Sequence, residues 1–190
     1  MLSGATGQVY GSAHTWRLEK GWETKLDTVG AMELSYMKNL FATRKWYDLI
    51  PDQNHTVVAA GYDRAAEYIG RLSTYMGNRV RLLAMLKKIT NLASVSGNTY
   101  ATAARTSDGS LVIAYMPSTR TVTVDMSKLS GSATALWYDP SRGLYKLIEG
   151  SPFSNTGKHA FTPPGKNGDG DEDWVLILET KPPPLDTEKK

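Results

Sequence analysis

The sequence predicts a mainly β protein, in which an antiparallel β-sandwich is preceded by an α-helical N-terminal segment. Short runs of alternating apolar and polar residues fill residues 98–180, with turn sequences between them. Asp108-Gly109 stands between two apolar runs, which is the strongest short-range signal of a β-hairpin. Before residue 60, apolar residues recur at three- and four-residue spacing instead, which is typical of a helix.

Residues 1–60 predict a loop that leads into a helix. Three glycines punctuate the loop, and a set of apolar residues then gives the helical period: Met32, Leu34, Met37, Leu40 and Phe41. Pro51 and the polar residues 52–55 predict the end of this helix, because proline cannot continue a helix.

Residues 61–97 predict a helical insert or linker, because an apolar stripe with Arg and Lys between its members runs through them. The β-sandwich domain is predicted over residues 98–180. Its six predicted strands are Tyr100–Arg105, Leu111–Met116, Thr121–Asp125, Ala133–Tyr138, Leu144–Ile148 and Trp174–Leu178. Residues 181–190 are Pro-rich and then charged, which predicts a disordered tail.

The composition of the 190 residues excludes several classes of function. The net charge of +3 comes from dispersed basic residues, which argues against a nucleic-acid interface. No apolar stretch reaches the ~20 residues of a membrane span, so no membrane partner is predicted. The absence of cysteine removes disulfides, thiolate nucleophiles and Cys-based zinc sites. Without a phosphate-binding Gly loop or a metalloprotease motif, no cofactor is expected.

Three stretches in the second half resemble the collagen-binding C-terminal domain that follows the barrel in apiosidase-like glycoside hydrolases. They are YATAARTSDGSLVIAYMPSTRTVTVDMSKLSG, ALWYDPSRG and FTPPGKNGDGDEDWVLILE. In the first half, GATGQVYGSAHTW resembles the loop after the last barrel strand, and the helix that ends at WYDLIPDQN resembles the last barrel helix. Residues 61–97 depart from the family's pattern.

This resemblance implies that residues 1–60 are the remnant of a catalytic barrel. Both catalytic carboxylates of the family lie on earlier barrel strands, so the resemblance implies that this chain has no catalytic residue. It also implies that the parent enzyme is secreted or periplasmic and of bacterial origin.

Two groups of aromatic residues are candidates for binding a polysaccharide or glycan, because aromatic rings stack on the apolar faces of sugars. The first group lies in and after the Gly-rich loop: Tyr10, His14, Trp16 and Trp22. The second is formed by Trp137, Tyr138 and Tyr145. Neighbours on a strand point to opposite faces, so one of Trp137 and Tyr138 should lie in the core and the other should be exposed or partly so. Packing in the core is the competing interpretation for both groups.

Acidic residues give two weaker candidate sites. Glu19 and Glu23 flank the Gly-rich loop and are the first carboxylates to test if the chain hydrolyses glycosides by itself, although solvated charge explains them as well. Asp169, Asp171 and Asp173 alternate with Gly168 and Gly170, a pattern that suits calcium. The rest of an EF-hand loop is missing, so a solvated turn is favoured there and no metal is expected.

The sequence therefore predicts an accessory, carbohydrate- or collagen-binding C-terminal region of a glycoside hydrolase. One alternative is a compact, self-sufficient glycoside hydrolase, similar to an endo-β-glucanase or cellulase, that uses a carboxylate pair. Another is a structural domain that forms homo-oligomers through the apolar face of the N-terminal helix, which would lack its barrel partner.

Overall fold

The computed structural model describes residues 1–7, 11, 13–62 and 100–182, which form two antiparallel β-sheets and an α-helical N-terminal segment. The predicted fold class is confirmed. The predicted insert at 61–97 and the predicted tail at 181–190 lie almost wholly outside the described residues. None of the described helices could cross a membrane, the longest having 14 residues.

The N-terminal segment contains two α-helices, α1 at Ala13–Trp16 and α2 at Val29–Ala42. Short 3₁₀ turns follow each of them, at Trp22–Lys25 and Trp46–Asp48. Leu, Met and Ala, which are good helix formers, make up six of the 14 residues of α2. The helix ends at Ala42, well before the predicted stop at Pro51, because the chain turns there to pair with the sandwich.

Nine strands make up the sheets. They are β1 (Leu49–Pro51), β2 (Val58–Ala60), β3 (Thr102–Thr106), β4 (Leu111–Met116), β5 (Val122–Asp125), β6 (Thr134–Asp139), β7 (Leu144–Leu147), β8 (Lys158–Phe161) and β9 (Trp174–Glu179). All six predicted strands are present, with ends that differ by at most two residues. The strands β1, β2 and β8 were not predicted.

The larger sheet has the order β1-β3-β4-β9-β6-β7 and the smaller one has the order β2-β5-β8. The centre of the larger sheet is β9, which pairs with β4 on one side and with β6 on the other. The edge strand β1 pairs with β3 so that Leu49 lies opposite Thr106, and Pro51 is tolerated as the last residue of an edge strand.

Two apolar cores lie on the two faces of the larger sheet. The inner core, between the sheets, includes Val112, Val124, Trp137, Phe161 and Leu176. The outer core joins α2 to the opposite face of the larger sheet, through Leu40, Phe41, Leu111, Ile113, Leu136, Tyr138, Val175 and Ile177. Alternation along β4 and β9 supplies both cores, since successive side chains point to opposite faces.

Polar contacts fix α2 on the sheet. Arg44, just after the helix, donates from Nε to Glu179 Oε1 at 2.6 Å and from Nη2 to Oε2 at 3.3 Å, with both side chains buried. Burial alone would lower the pKa of Arg44, but the hydrogen bonds and charge of Glu179 outweigh it and the pKa is raised. The Tyr138 hydroxyl donates to the Tyr36 carbonyl at 2.8 Å.

Leu40 and Phe41 of α2 are therefore covered within the chain, and Met37 packs against the same core, whereas Met32 is 46% exposed. The reason given above for expecting a homo-oligomer thus holds for only part of the helix. Oligomerisation itself stays a prediction. The boundary at residue 60 also stays a prediction, but both sheets contain a strand from before it, since β1 and β2 pair with β3 and β5.

Candidate functional site

A cavity of about 630 Å³ opens between α2 and the outer face of the larger sheet. This volume is in the range of small-molecule binding sites. The cavity is lined by residues from the N-terminal segment, α2, four strands of the larger sheet (β3, β4, β6 and β9) and two loops: Met1, Leu2, Ser3, Ala5, Gly7, Glu33, Met37, Leu40, Phe41, Thr102, Ile113, Tyr115, Tyr138, Pro140, Ser141, Asn167, Asp171, Asp173 and Val175. We call it the α2 cavity.

The floor of the α2 cavity is apolar because the outer faces of β4 and β9 are apolar. Ile113 and Tyr115 are two residues apart on β4 and therefore share this face, and Tyr115 pairs with Val175 of β9. Ile113 is fully buried, whereas Tyr115 at the end of the row is only half-buried. The tyrosine ring thus lies where the apolar floor meets the polar wall.

The polar wall is centred on Asp173, which precedes β9. The Tyr115 hydroxyl donates to Asp173 Oδ2 at 3.1 Å, and Asn167 Nδ2 donates to Asp173 Oδ1 at 2.7 Å. Burial raises the pKa of Asp173 above its usual range, and the neighbouring Asp171 and Asp139 act in the same direction, whereas the Tyr115 hydrogen bond opposes them. Burial together with the charge of Asp173 raises the pKa of Tyr115.

Asn167 shapes the acidic loop of residues 167–173. Its side chain is buried, and its Oδ1 accepts from Asp169 N at 3.1 Å and from Asp171 N at 3.0 Å. Its own backbone N–H donates to the Asp171 carbonyl at 2.7 Å. These bonds curl the loop so that Asp171 and Asp173 both line the α2 cavity. The sequence analysis did not select Asn167, although it begins the acidic motif.

Asp139, at the end of β6, connects the turn of residues 140–143 to the acidic loop. Its Oδ1 accepts from Ser141 N and Oγ at 2.9 and 2.7 Å, and its Oδ2 accepts from Gly168 N at 2.8 Å. Arg142 completes the connection by donating to the Gly168 carbonyl and by approaching Asp169 to 3.9 Å. The wall is therefore held by a buried carboxylate rather than by solvent-exposed contacts alone.

The α2 cavity has a negative lining. Glu33, Asp171 and Asp173 all line it, and no Lys, Arg or His occurs among its described lining residues. The carboxylates of Glu33 and Asp171 have no hydrogen bond or ion pair with other residues in the described ranges, and Asp171 is exposed to solvent. Tyr115, Ser141 and Asn167 add neutral hydrogen-bonding groups. The cavity can therefore accept hydrogen bonds from a polar ligand and cover its apolar side.

Of the residues selected from the sequence, the structure brings Tyr138, Asp171 and Asp173 to the α2 cavity. Trp137 and Tyr138 do point to opposite faces, but the expectation that one of them is exposed is wrong, because Trp137 packs in the inner core and Tyr138 in the outer core. Tyr145 is more than a third exposed, and its hydroxyl accepts from Arg44 Nη1 at 2.9 Å.

The N-terminal candidates lie elsewhere. Tyr10 falls outside the described residues, and of His14 only the backbone position in α1 is described. Trp16 is 70% exposed with Arg17 above its ring at 5.3 Å, and Trp22 is half-buried. Both carboxylates proposed for catalysis are exposed: Glu19, which lies 3.8 Å from Arg17, and Glu23. None of these described residues lines the α2 cavity.

The acidic loop does not form a calcium site of three carboxylates. Among the residues that the structure describes, no group of three or more His, Cys, Asp or Glu side chains could hold a metal ion. Asp169 approaches Arg142, whereas Asp173 accepts from Tyr115 and Asn167. The Asp169 and Asp173 carboxylates therefore contact different partners instead of converging on one point.

The sandwich matches a known protein family. Residues 87–179, just under half of the chain, match the family described as "Putative collagen-binding domain of a collagenase". The match ends with β9 and covers every strand from β3 onwards. No curated protein is similar enough to count as a relative.

Two solved structures share the fold over nearly the whole chain. One, titled "Glycoside hydrolase", is 24% identical, covers 93% of this chain and 29% of its own, and has a TM-score of 0.56. The other, a glycoside hydrolase family 5 from Bacteroides vulgatus ATCC 8482, is 22% identical with a TM-score of 0.56, covering 91% of this chain and 28% of its own. The chain therefore spans less than a third of the length of these glycoside hydrolases.

Proposed function

We propose that this chain is an accessory, non-catalytic region of a glycoside hydrolase, whose sandwich holds the last helix of the catalytic domain and contacts glycans. The family match of the sandwich and the two solved glycoside hydrolases with the same fold support this proposal. The ordered motifs from DGS to DWVL further support a parent enzyme of the apiosidase-like type.

One observation carries the proposal. The segment that resembles the last barrel loop and helix is built into the sandwich, since α2 covers the outer face of the larger sheet and β1 and β2 extend both sheets. If α2 belongs to the catalytic domain and also packs on the sandwich, it restricts how the two domains can lie relative to each other. We infer that the sandwich fixes α2 and so supports the domain to which α2 belongs.

The exposed carboxylates at the N-terminal loop favour an accessory role over catalysis by this chain. A retaining glycosidase needs two carboxyl groups about 5–5.5 Å apart on a rigid scaffold. Glu19 and Glu23 lie in and beside the short 3₁₀ turn of residues 22–25, which has no buried residue. A pair on such an exposed turn is not shielded from water.

Reducing-sugar release by the purified 190-residue chain tests this conclusion. We expect no release above buffer from soluble β-glucan or pectic substrates, and retention of the chain on insoluble polysaccharide or on collagen in a pull-down. Robust release that a Glu19→Gln/Glu23→Gln double variant abolishes would contradict the accessory role and support a self-sufficient, cellulase-like hydrolase.

One observation favours that second candidate, catalysis, at a different place. Glu33 and Asp173 share the α2 cavity, and burial raises the pKa of Asp173, which is the direction that favours a general acid. If the chain releases sugar and Glu33→Gln and Asp173→Asn each abolish the release, the hydrolase interpretation applies to this cavity. If release survives both changes, this pair is excluded.

A further inference from the structure

The acidic loop begins with Asn167-Gly168, and Asn167 is the only asparagine of the chain that a glycine follows. An asparagine in this position is prone to deamidation, because glycine has no side chain to hinder its own backbone nitrogen and turns freely. The Gly168 nitrogen attacks Asn167 Cγ, its proton leaves with the side-chain nitrogen as ammonia, and a cyclic succinimide forms. Water then opens the ring to aspartate or isoaspartate. The loop therefore contains a site of self-modification.

The folded loop holds both reacting groups in place. Asn167 is only 8% exposed, its Nδ2 donates to Asp173 Oδ1 at 2.7 Å, and its Oδ1 accepts from two backbone N–H groups of the loop. The attacking nitrogen is also bonded, since the Gly168 N–H donates to Asp139 Oδ2 at 2.8 Å. The side chain can rotate towards this nitrogen only by breaking its bonds, so the reaction requires the loop to open.

Conversion of Asn167 would remove the donor that ties the loop to Asp173. An aspartate has no side-chain N–H, so two carboxylates would face each other where Asn167 Nδ2 and Asp173 Oδ1 now lie 2.7 Å apart. Carboxylates this close cannot both stay ionised, so one must take up a proton or the two must separate. Tyr115 already donates to the other oxygen of Asp173 and does not replace the lost donor.

We propose that Asn167-Gly168 is a deamidation site that the folded acidic loop suppresses, and that its conversion releases the loop from Asp173. The modification changes the polar wall of the α2 cavity irreversibly, because Asn167, Asp171 and Asp173 all line that cavity. The inference goes beyond the proposed function, since it requires neither a ligand nor a catalytic domain.

Peptide mapping by mass spectrometry of the full 190-residue chain tests the suppression. The chain is incubated at mildly alkaline pH, folded in one sample and unfolded in urea in the other. We expect Asn167 to convert at least about tenfold more slowly in the folded chain, because only molecules with an open loop react. Equal rates in the two samples would show that the loop does not suppress the reaction. No conversion in urea would show that the site is not reactive, and either result overturns the proposal.

A pair of variants tests which bond suppresses the reaction. Asp173→Ala removes the acceptor of Asn167 Nδ2, so conversion in the folded chain should become roughly fivefold faster, the effect of one lost hydrogen bond. Glu172→Gln is the matched control, because Glu172 is exposed in the same loop, and its conversion rate should equal that of the wild type. An unchanged rate in Asp173→Ala would overturn the role of this bond.

Hydrogen–deuterium exchange at neutral pH tests the release of the loop. Asn167→Asp reproduces the aspartate product, and we expect the backbone amides of residues 167–173 to exchange about tenfold faster in this variant. The double variant Asn167→Asp/Asp173→Asn restores a donor and an acceptor in reversed order, so its exchange should return towards that of the wild type.

Two results of the exchange experiment would contradict the release. If Asn167→Asp exchanges like the wild type, conversion does not open the loop. If the double variant exchanges as fast as the single one, the contact with Asp173 is not the cause. Thermal unfolding checks that each variant folds. Should Asn167→Asp fail to fold, exchange is compared between converted and unconverted peptides of wild-type chain aged to partial conversion, and the same two rates decide.

Discussion

Arg44 shows at the scale of one residue how α2 is held on the sheet. Its guanidinium donates hydrogen bonds to Glu179 on β9, to the Leu40 carbonyl near the end of α2 and to the Tyr145 hydroxyl on β7. Both partners of the ion pair are buried, so neither charge can recover its hydration if the other is removed. A buried pair of this kind is a weak source of net stability but a strong constraint on geometry.

We expect Arg44→Met to destabilise the protein by about 3–5 kcal/mol, because it leaves the Glu179 carboxylate buried without a partner. Glu179→Leu should destabilise the protein by a similar amount, because it leaves the Arg44 guanidinium buried without a partner. The double variant should be much more stable than the sum of the two changes predicts, since it removes both charges. Urea unfolding of the four proteins gives this coupling energy, and simple additivity would contradict it.

Gly143 is required for two separate reasons. Its φ of +69° lies in the left-handed region, and a Cβ added there would stand 2.8 Å from Cδ1 of Tyr36 on α2. Gly157 has the same φ of +69° with nothing within 4 Å of the added Cβ, so it isolates the backbone contribution. We expect Gly157→Ala to cost about 1 kcal/mol and Gly143→Ala about 1–3 kcal/mol more, measured by chemical unfolding. Equal costs would show that Tyr36 moves aside freely.

Asp173 should make the stability of the protein depend on pH. Its folded-state pKa is raised above the ordinary 3.8, so the stabilisation from its protonated form is complete below that value and is lost as the pH rises through the folded-state pKa. The stability of Asp173→Asn should not fall over this pH range, and at neutral pH the variant should be at least as stable as the wild type. Thermal unfolding across this pH range checks the expectation.

Asp125 is the matched comparison. The Ser127 hydroxyl and backbone N–H lower the pKa of Asp125, so its stabilisation is present above 3.8 and is lost as the pH falls. Asp125→Asn should therefore become less stable, relative to the wild type, as the pH rises through 3.8. If both variants change in the same direction with pH, the assignment for Asp173 is wrong.

At the scale of elements, α2, β1 and β2 complete the sandwich. Without them, the apolar outer row of Leu111, Ile113 and Ile177 would be exposed, and the edges of β3 and β5 would have no partner. We expect a fragment of residues 98–182 to be insoluble or to lack cooperative unfolding, whereas the full chain unfolds cooperatively. Circular dichroism and size-exclusion chromatography of the two proteins decide this, and a stable monomeric fragment would contradict it.

The same elements explain which parts of the fold could be predicted. Alternation and turn residues are local signals. They located both ends of β4 correctly and both ends of β6 to within one residue. The three-residue strands β1 and β2 carry no alternation of their own and exist because β3 and β5 offer edges to pair with. Pro51 predicted only a helix end, since its role as the last residue of an edge strand depends on tertiary structure.

For the whole molecule, the candidate site was predictable only in part. The acidic motif identified Asp171 and Asp173 from composition alone, although calcium was the ligand considered. Glu33 was missed because it reaches the cavity only when α2 lies across the outer face of the larger sheet, and Tyr115 because it meets Asp173 only when β4 pairs with β9. Asn167 was missed although it begins the acidic motif. The aromatic candidates Trp137 and Tyr138 were recognisable as large apolar residues, but their burial depends on two cores that no local pattern reveals.

The turn between β1 and β2 connects the two sheets, because β1 belongs to the larger sheet and β2 to the smaller one. The Asp52 carboxylate closes this turn by accepting from the N–H groups of Thr56, Val57 and Val58 at 2.7–3.0 Å. Tension applied to the N-terminal segment would therefore meet several restraints in series. The first is the packing of α2 on the outer core with the Tyr138–Tyr36 hydrogen bond, followed by the Arg44–Glu179 pair, β1, the Asp52 turn and finally β2. The central strands β4 and β9 come later in the chain than all of these restraints, so the same tension would reach them last.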